Sequence, residues 1–142
     1  MKAYALLLKL SAPIFLIVGT LHLFLGVGAE VMLGADLPAE VLKDPVLDSQ
    51  NRFYGTAFTL YGVLLFLCAT DLKKYSLVLR CLLWVFFAAG LARVVSIVIH
   101  GMPSTFVLAL LGSEVLLPIP LLRWFTRIQN EDQSHRIVKS SS

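Results

Sequence analysis

The sequence predicts an all-α membrane protein, a bundle of four transmembrane helices. Of the 142 residues, 58% are hydrophobic and only 15% are charged, whereas soluble domains average about 45–50% and about 25%. The mean hydropathy is +0.82, and four long apolar runs are separated by polar segments. A helix needs about 20 apolar residues to cross the hydrocarbon core of a bilayer. The chain therefore has room for four spans but none for a second, water-soluble catalytic domain.

Each predicted span is a continuous apolar run bounded by polar or turn-forming residues. The spans are about Ala5–Ala29, Phe53–Ala69, Leu77–Ile99 and Thr105–Leu122. The first run is longer than the h-region of a signal peptide, about 7–15 residues, so we expect it to remain as a membrane helix. The runs also exceed the alternating segments of about ten residues that form transmembrane barrels. We expect one transmembrane domain over residues 1–127 and a polar cytoplasmic tail over 128–142.

The loop after the first span carries helix signals of its own. Asp36 precedes residues 38–42, and this order predicts a short capped helix that lies on the outer membrane surface. Such a helix serves either as a lid or as a connector without a gating role. Asp44 or Asp48 is the expected cap of the second long helix.

Two prolines predict a kink in the fourth span. Pro118 removes the backbone donor for the Glu114 carbonyl, and Pro120 removes the donor for the Leu116 carbonyl. The freed Glu114 carbonyl needs another partner, and Ser113, water or a ligand would serve. The kink is therefore either a feature of the helix alone or one wall of a cavity.

Basic residues are distributed unequally between the two ends of the predicted bundle. One end carries Lys2, Lys9, Lys73, Lys74, Arg80, Arg123, Arg127, Arg136 and Lys139. The other end carries only Lys43 and Arg52, and Arg93 lies within the third span. Because cytoplasmic flanks are enriched in Lys and Arg, we expect both termini to be cytoplasmic. This placement accounts for the net charge of +3, and we expect no nucleic-acid partner.

Two opposite charges lie inside the predicted spans. Arg93 precedes Gly101 by eight residues and Glu114 follows Ser104 by ten, so their depths below the outer turn are about 12 and 15 Å. A charge in hydrocarbon costs roughly 2.5–3.5 kcal/mol and usually marks a pathway or a binding site. We expect the two side chains to pair, either as the polar floor of a site or as an ion pair that only fixes helix register.

Further polar side chains lie at the same depth or closer to the outer surface. Ser96 and His100 share a helix face with Arg93, at spacings of three and seven residues. His22 is predicted to be either a ligand-binding group or a hydrogen-bonded interior residue, and Arg52 either a site residue or an interfacial anchor. The candidate ligand-binding residues are Arg93, Glu114, His22, Arg52, Ser96 and His100.

Several short segments together resemble a known family. They are Asp48–Gly55, Arg93–Ser96, Gly101–Pro103, and Glu114 with Pro118. They resemble the domain of unknown function 4345, a family of four-helix bacterial membrane proteins similar to DoxX-type proteins and remotely similar to the emopamil-binding sterol isomerase and sigma-2 receptor group. The resemblance implies a multi-pass protein of the bacterial inner membrane and supplies no established activity. The remote isomerase likeness implies an apolar ligand held beside carboxylates.

Three classes of function agree with these residues. The first is binding of an apolar or amphipathic molecule, lipid- or quinone-like, in a cavity between the helices that opens outward or laterally. The second is an accessory subunit whose polar pairs specify helix assembly, with a homo-oligomer or another membrane protein as partner. The third is an isomerase-type enzyme or an ion or proton pathway. The sequence contains no recognised catalytic, nucleotide-binding or metal-binding motif, so we expect no cofactor and no metal.

Overall fold

The computed structural model describes the backbone of residues 1–140 and the side chains of residues 1–134. The described chain forms seven helices and no strand. They are α1 (Lys2–Leu25), α2 (Gly28–Met32), α3 (Ala39–Leu42), α4 (Pro45–Thr70), α5 (Ser76–His100), α6 (Thr105–Leu116) and α7 (Pro118–Ser140). Four stretches are long and apolar enough to cross a membrane: α1, α4, α5, and α6 with the first part of α7. The predicted all-α fold with four membrane helices is confirmed.

The second long helix begins earlier than its apolar run suggests. Asp44 is its N-cap, and the Asp44 carboxylate accepts hydrogen bonds from Val46 N at 2.8 Å and Leu47 N at 3.0 Å. Pro45 follows at the first helical position, where its missing N–H costs nothing. The expected cap at Asp44 is confirmed. The cap and the proline, rather than hydrophobicity, set the start of α4, so the polar residues before Phe53 are helical.

The first span ends four residues before its predicted boundary at Ala29. Gly26 adopts a φ of 56°, a conformation that glycine reaches without strain. The chain then forms the separate short helix α2, which the apolar run did not reveal. In the following loop α3 forms as predicted, but its N-cap is Pro38 and no side chain caps it. The expected cap by Asp36 is therefore wrong, because the helix begins two residues too late for that carboxylate to stand at its N-cap.

The fourth span is broken where the prolines predict. α6 ends at Leu116 and α7 begins at Pro118. Ser113 does not replace the lost donor with its hydroxyl, because Ser113 Oγ donates to the carbonyl of Leu110 at 2.7 Å. Beyond the break, the backbone of α7 continues as a helix through Ser140, into the predicted polar tail.

The hydrophobic core lies at the end of the bundle that carries the N-terminus, the α4–α5 turn and α7. Its buried side chains include Tyr4, Leu8, Ala12, Leu65, Cys68, Leu79, Leu83 and Phe125. Tyr4 Oη donates to the Leu121 carbonyl at 3.2 Å, and the Tyr4 ring lies 4.9 Å from that of Trp124. Lys73 forms an ion pair with Asp132. These contacts join all four spans at this end.

Toward the other end, the spans associate in pairs. In the α1–α4 pair, a Cβ added at Gly55 would lie 2.4 Å from Leu23 N, and one at Gly19 would lie 2.5 Å from Thr59 N. In the α5–α6 pair, a Cβ at Gly90 would lie 2.9 Å from the Cβ of Glu114. Glycine therefore permits both close approaches, as small residues do in membrane helix packing.

Candidate functional site

The two opposite charges of the spans meet between α5 and α6. Arg93 Nε donates to Glu114 Oε2 at 2.7 Å. The Glu114 side chain is only 4% exposed, whereas that of Arg93 is 32% exposed. Gly90, one turn before Arg93, allows α6 to approach closely enough for this bond. The structure thus brings together the two residues at the centre of the predicted site.

A small cavity adjoins the guanidinium. Its volume is about 70 Å³, and it is lined by Arg93, Ser96, Ile97, Gly101, Pro103 and Val107. Since a water occupies about 30 Å³ of liquid, this space corresponds to about two waters. It extends from Arg93 to the α5–α6 turn, where Gly101 has a φ of 91°. The predicted Ser96, which is exposed, lines the cavity, whereas His100, also exposed at the end of α5, does not line it.

The guanidinium of Arg93 retains donors that no described residue engages. Only Nε is bonded to Glu114, and Nη1 and Nη2 have no hydrogen-bond partner among the residues whose side chains are described. These nitrogens are not sealed in the protein interior, because the described part contains no buried side-chain polar atom without a partner. Arg93 therefore lines the cavity with a guanidinium whose Nη1 and Nη2 can still donate hydrogen bonds.

The other two predicted residues, Arg52 and His22, lie on the α1–α4 pair. Arg52 Nη1 donates to the carbonyls of Leu23 at 3.0 Å and Phe24 at 2.9 Å, and Arg52 Nε donates to Asp48 Oδ2 at 2.7 Å. Asp48 Oδ1 accepts from Val27 N at 3.3 Å. Arg52 and Asp48 thus satisfy the backbone at the α1–α2 break, where helix carbonyls lack intrahelical partners.

His22 is held by its own helix and by α2. Its Nδ1 lies 2.9 Å from the Val18 carbonyl oxygen, and its Nε2 lies 3.3 Å from Glu30 Oε1. The His22 side chain is 12% exposed and that of Glu30 is 45% exposed. Across residues 1–134 no hydrogen bond or ion pair joins His22 or Glu30 to Arg93 or Glu114. Five of the six predicted site residues therefore divide between the α5–α6 pair, with Arg93, Glu114 and Ser96, and the α1–α4 pair, with His22 and Arg52, while His100 joins neither group.

Some residues of these clusters were not among the predicted site residues. Asp48 lies four residues before Arg52, a spacing that favours an ion pair on a helix. This spacing is the sequence signal that could have identified Asp48. Glu30 follows His22 by eight residues, but it lies on α2, and the break after α1 brings it to His22. Val107 and Pro103 carry no such signal, because only the fold of the α5–α6 turn brings them to the cavity.

A second depression lies far from the ion pair. It is a shallow, open groove along a single face of α7, lined by Leu122, Arg123, Thr126, Arg127, Asn130, Glu131 and Ser134. Every residue that lines this groove lies on α7, so it is not a space between two spans, as the cavity beside Arg93 is.

Four apolar helices and a buried ion pair between two of them define a small multi-pass membrane protein. Residues 3–125 match the family described as "Domain of unknown function (DUF4345)", and the chain belongs to this family. No curated protein and no solved structure matches the chain. The remoter likenesses to DoxX-type proteins and to the emopamil-binding and sigma-2 receptor group stay predictions.

Proposed function

We propose that this protein binds an apolar or amphipathic small molecule, lipid- or quinone-like, whose polar part reaches Arg93. The observation that carries the proposal is the Arg93–Glu114 ion pair, in which only Nε of the guanidinium is bonded while Arg93 also lines a cavity. An ionised side chain in a membrane span usually faces a site or pathway because its cost in hydrocarbon is large.

The size of the cavity sets how such a molecule would bind. A space of about 70 Å³ is far below the roughly 300–1,000 Å³ of a pocket that encloses a whole drug-sized ligand. It therefore accommodates only a polar head, and the apolar body lies outside, along the membrane-facing surface of the helices. Binding from the bilayer requires no aqueous entry path for the apolar part. We further propose the bacterial inner membrane as the location.

Filling the cavity tests this proposal. Val107 is half-buried and lines the cavity, so Val107→Phe places a ring in the space that the head group would occupy. Val98→Phe is the matched control, since Val98 is 79% exposed on α5 and does not line the cavity. We expect apolar molecules extracted from purified protein, measured by mass spectrometry, to be present in the wild type and Val98→Phe and depleted in Val107→Phe.

The same preparations distinguish the alternative role. A wild-type protein that carries no extractable molecule while circular dichroism shows the helices intact would contradict ligand binding and favour an accessory subunit. Equal retention by the two phenylalanine variants would place any bound molecule elsewhere on the protein.

A further inference from the structure

We infer that the head group recognised by Arg93 is a neutral hydrogen-bond acceptor, the carbonyl oxygen of an ester or ketone, and not an anion. This inference rests on the proposed function and specifies its ligand class. It follows from three features of the cavity: the donors that it offers, the charge already present, and its size.

The side chains that line the cavity offer mainly donors. An arginine guanidinium carries N–H groups and no acceptor, and its Nη1 and Nη2 have no partner within the described side chains. Ser96 contributes a hydroxyl, and the remaining lining residues are Ile97, Gly101, Pro103 and Val107. A ligand group that only accepts hydrogen bonds satisfies this set. A hydroxyl or amide head would bring donors of its own, for which the side chains lining the cavity offer only the Ser96 oxygen.

The charge of Arg93 is already balanced. Glu114 lies at 2.7 Å and is almost completely buried, so the pair has no net charge. No other basic side chain lines the cavity. A carboxylate or phosphate would therefore leave an uncompensated negative charge in a medium of low dielectric constant, which is strongly unfavourable. A carbonyl accepts from the guanidinium through its dipole and adds no net charge.

The size of the cavity agrees with a carbonyl group. The volume of about 70 Å³ corresponds to about two waters. A carbonyl oxygen with its carbon fits this space, while a bulky head with several substituents does not.

Three probes with the same ten-carbon chain and different heads test the inference: methyl decanoate, decanoate and decane. The protein is purified in dodecyl maltoside, which contains no carbonyl, and methyl decanoate carries a carbon-13 carbonyl for infrared detection. In the wild type we expect methyl decanoate to bind in preference to decanoate and its carbonyl stretch to shift to lower frequency. Both effects should be lost in Val107→Phe and retained in Val98→Phe.

Removing the balancing charge should change the preference. In Glu114→Gln the positive charge of Arg93 is no longer neutralised, because the competing carboxylate is gone. The affinity for decanoate relative to methyl decanoate should therefore rise by about tenfold. If this variant does not fold, the comparison of ester and carboxylate on the wild type decides alone.

The outcomes separate the two proposals. Preferential binding of decanoate by the wild type, abolished in Val107→Phe, would overturn the neutral head group and leave ligand binding at this cavity intact. The proposed function itself fails if neither methyl decanoate nor decanoate binds better than decane. It fails also if Val107→Phe binds these probes as the wild type does.

Discussion

Arg52 on α4 and Arg93 on α5 use the same side chain in different ways. Arg52 donates to two carbonyls of α1 and to Asp48, so its guanidinium is engaged in fastening helix ends. Arg93 makes a single bond, to Glu114. Arginine is suited to the first role by its planar set of donors. At Arg93 only Nε of the guanidinium is bonded, to Glu114. The donors that remain make Arg93 the stronger candidate for ligand contact.

The contributions of Arg93 and Glu114 to the free energy of unfolding should depend on each other. Arg93→Gln or Glu114→Gln leaves one charge without its partner inside the bundle, and we expect each to lower the free energy of unfolding by about 3 kcal/mol. The double variant should lose much less than the sum of the two. Reversible unfolding in mixed detergent micelles measures this as a double-mutant cycle.

An exposed pair provides the control for this cycle. Arg127 and Glu131 form an ion pair four residues apart whose side chains are 80% and 60% exposed. The same substitutions there should change stability by only about 0.3–0.5 kcal/mol. Additive effects at Arg93 and Glu114 would show that the two charges do not stabilise each other.

At the scale of the helices, the α1–α4 pair is held by close backbone approach and the α5–α6 pair by an ion pair beside a glycine. Gly19 and Gly55 are the small residues that permit the α1–α4 approach. The short helix α2 was not, because its separation from α1 depends on Gly26 and on the Asp48 carboxylate that α4 brings to Val27. Hydrophobicity continues across this break and conceals it.

Alanine at Gly55 should weaken the α1–α4 pair. The added Cβ would lie 2.4 Å from Leu23 N and 2.7 Å from the Gly19 carbonyl oxygen, so the helices must separate, at a cost of about 1–3 kcal/mol. Gly112→Ala is the matched control, because nothing lies within 4 Å of its added Cβ. In that open helical position alanine should be neutral or stabilise by up to about 1 kcal/mol. Thermal unfolding followed by circular dichroism compares the two, and equal midpoints would contradict the close approach.

At the scale of the whole molecule, the two ends of the bundle are built differently. One end holds the buried aromatic and aliphatic core, with Tyr4 and Phe125 at its centre, and the other holds the two polar clusters. The four spans follow from composition and run length. The division of the polar residues does not, because the sequence gives the depth of each side chain but not which helices pair. His22 and Glu114 are both predicted site residues, yet they belong to different pairs.

The orientation of the bundle is the last prediction, and it decides from which side the cavity is reached. Of the basic residues whose side chains are described, Lys73, Arg80 and Arg127 lie at the end with the core, where Arg80 Nη2 also donates to Gln129 Oε1 at 2.7 Å. Positive flanks favour the cytoplasm, so this end and both termini should be cytoplasmic. A fusion of alkaline phosphatase after residue 142, expressed in a bacterium, should be inactive, because the enzyme requires disulfides that do not persist in the cytoplasm.

An insertion in the α5–α6 turn gives the complementary measurement. The same phosphatase inserted after Met102 should be active, since that turn is expected to face the periplasm, and a green fluorescent protein fused after residue 142 should fluoresce. An active C-terminal phosphatase would reverse the assignment. Because the cavity beside Arg93 extends to Gly101 and Pro103, the reversal would place its mouth at the cytoplasmic leaflet. The ion pair and its unused donors would be unaffected, so the ligand class would stand while its leaflet of origin changed.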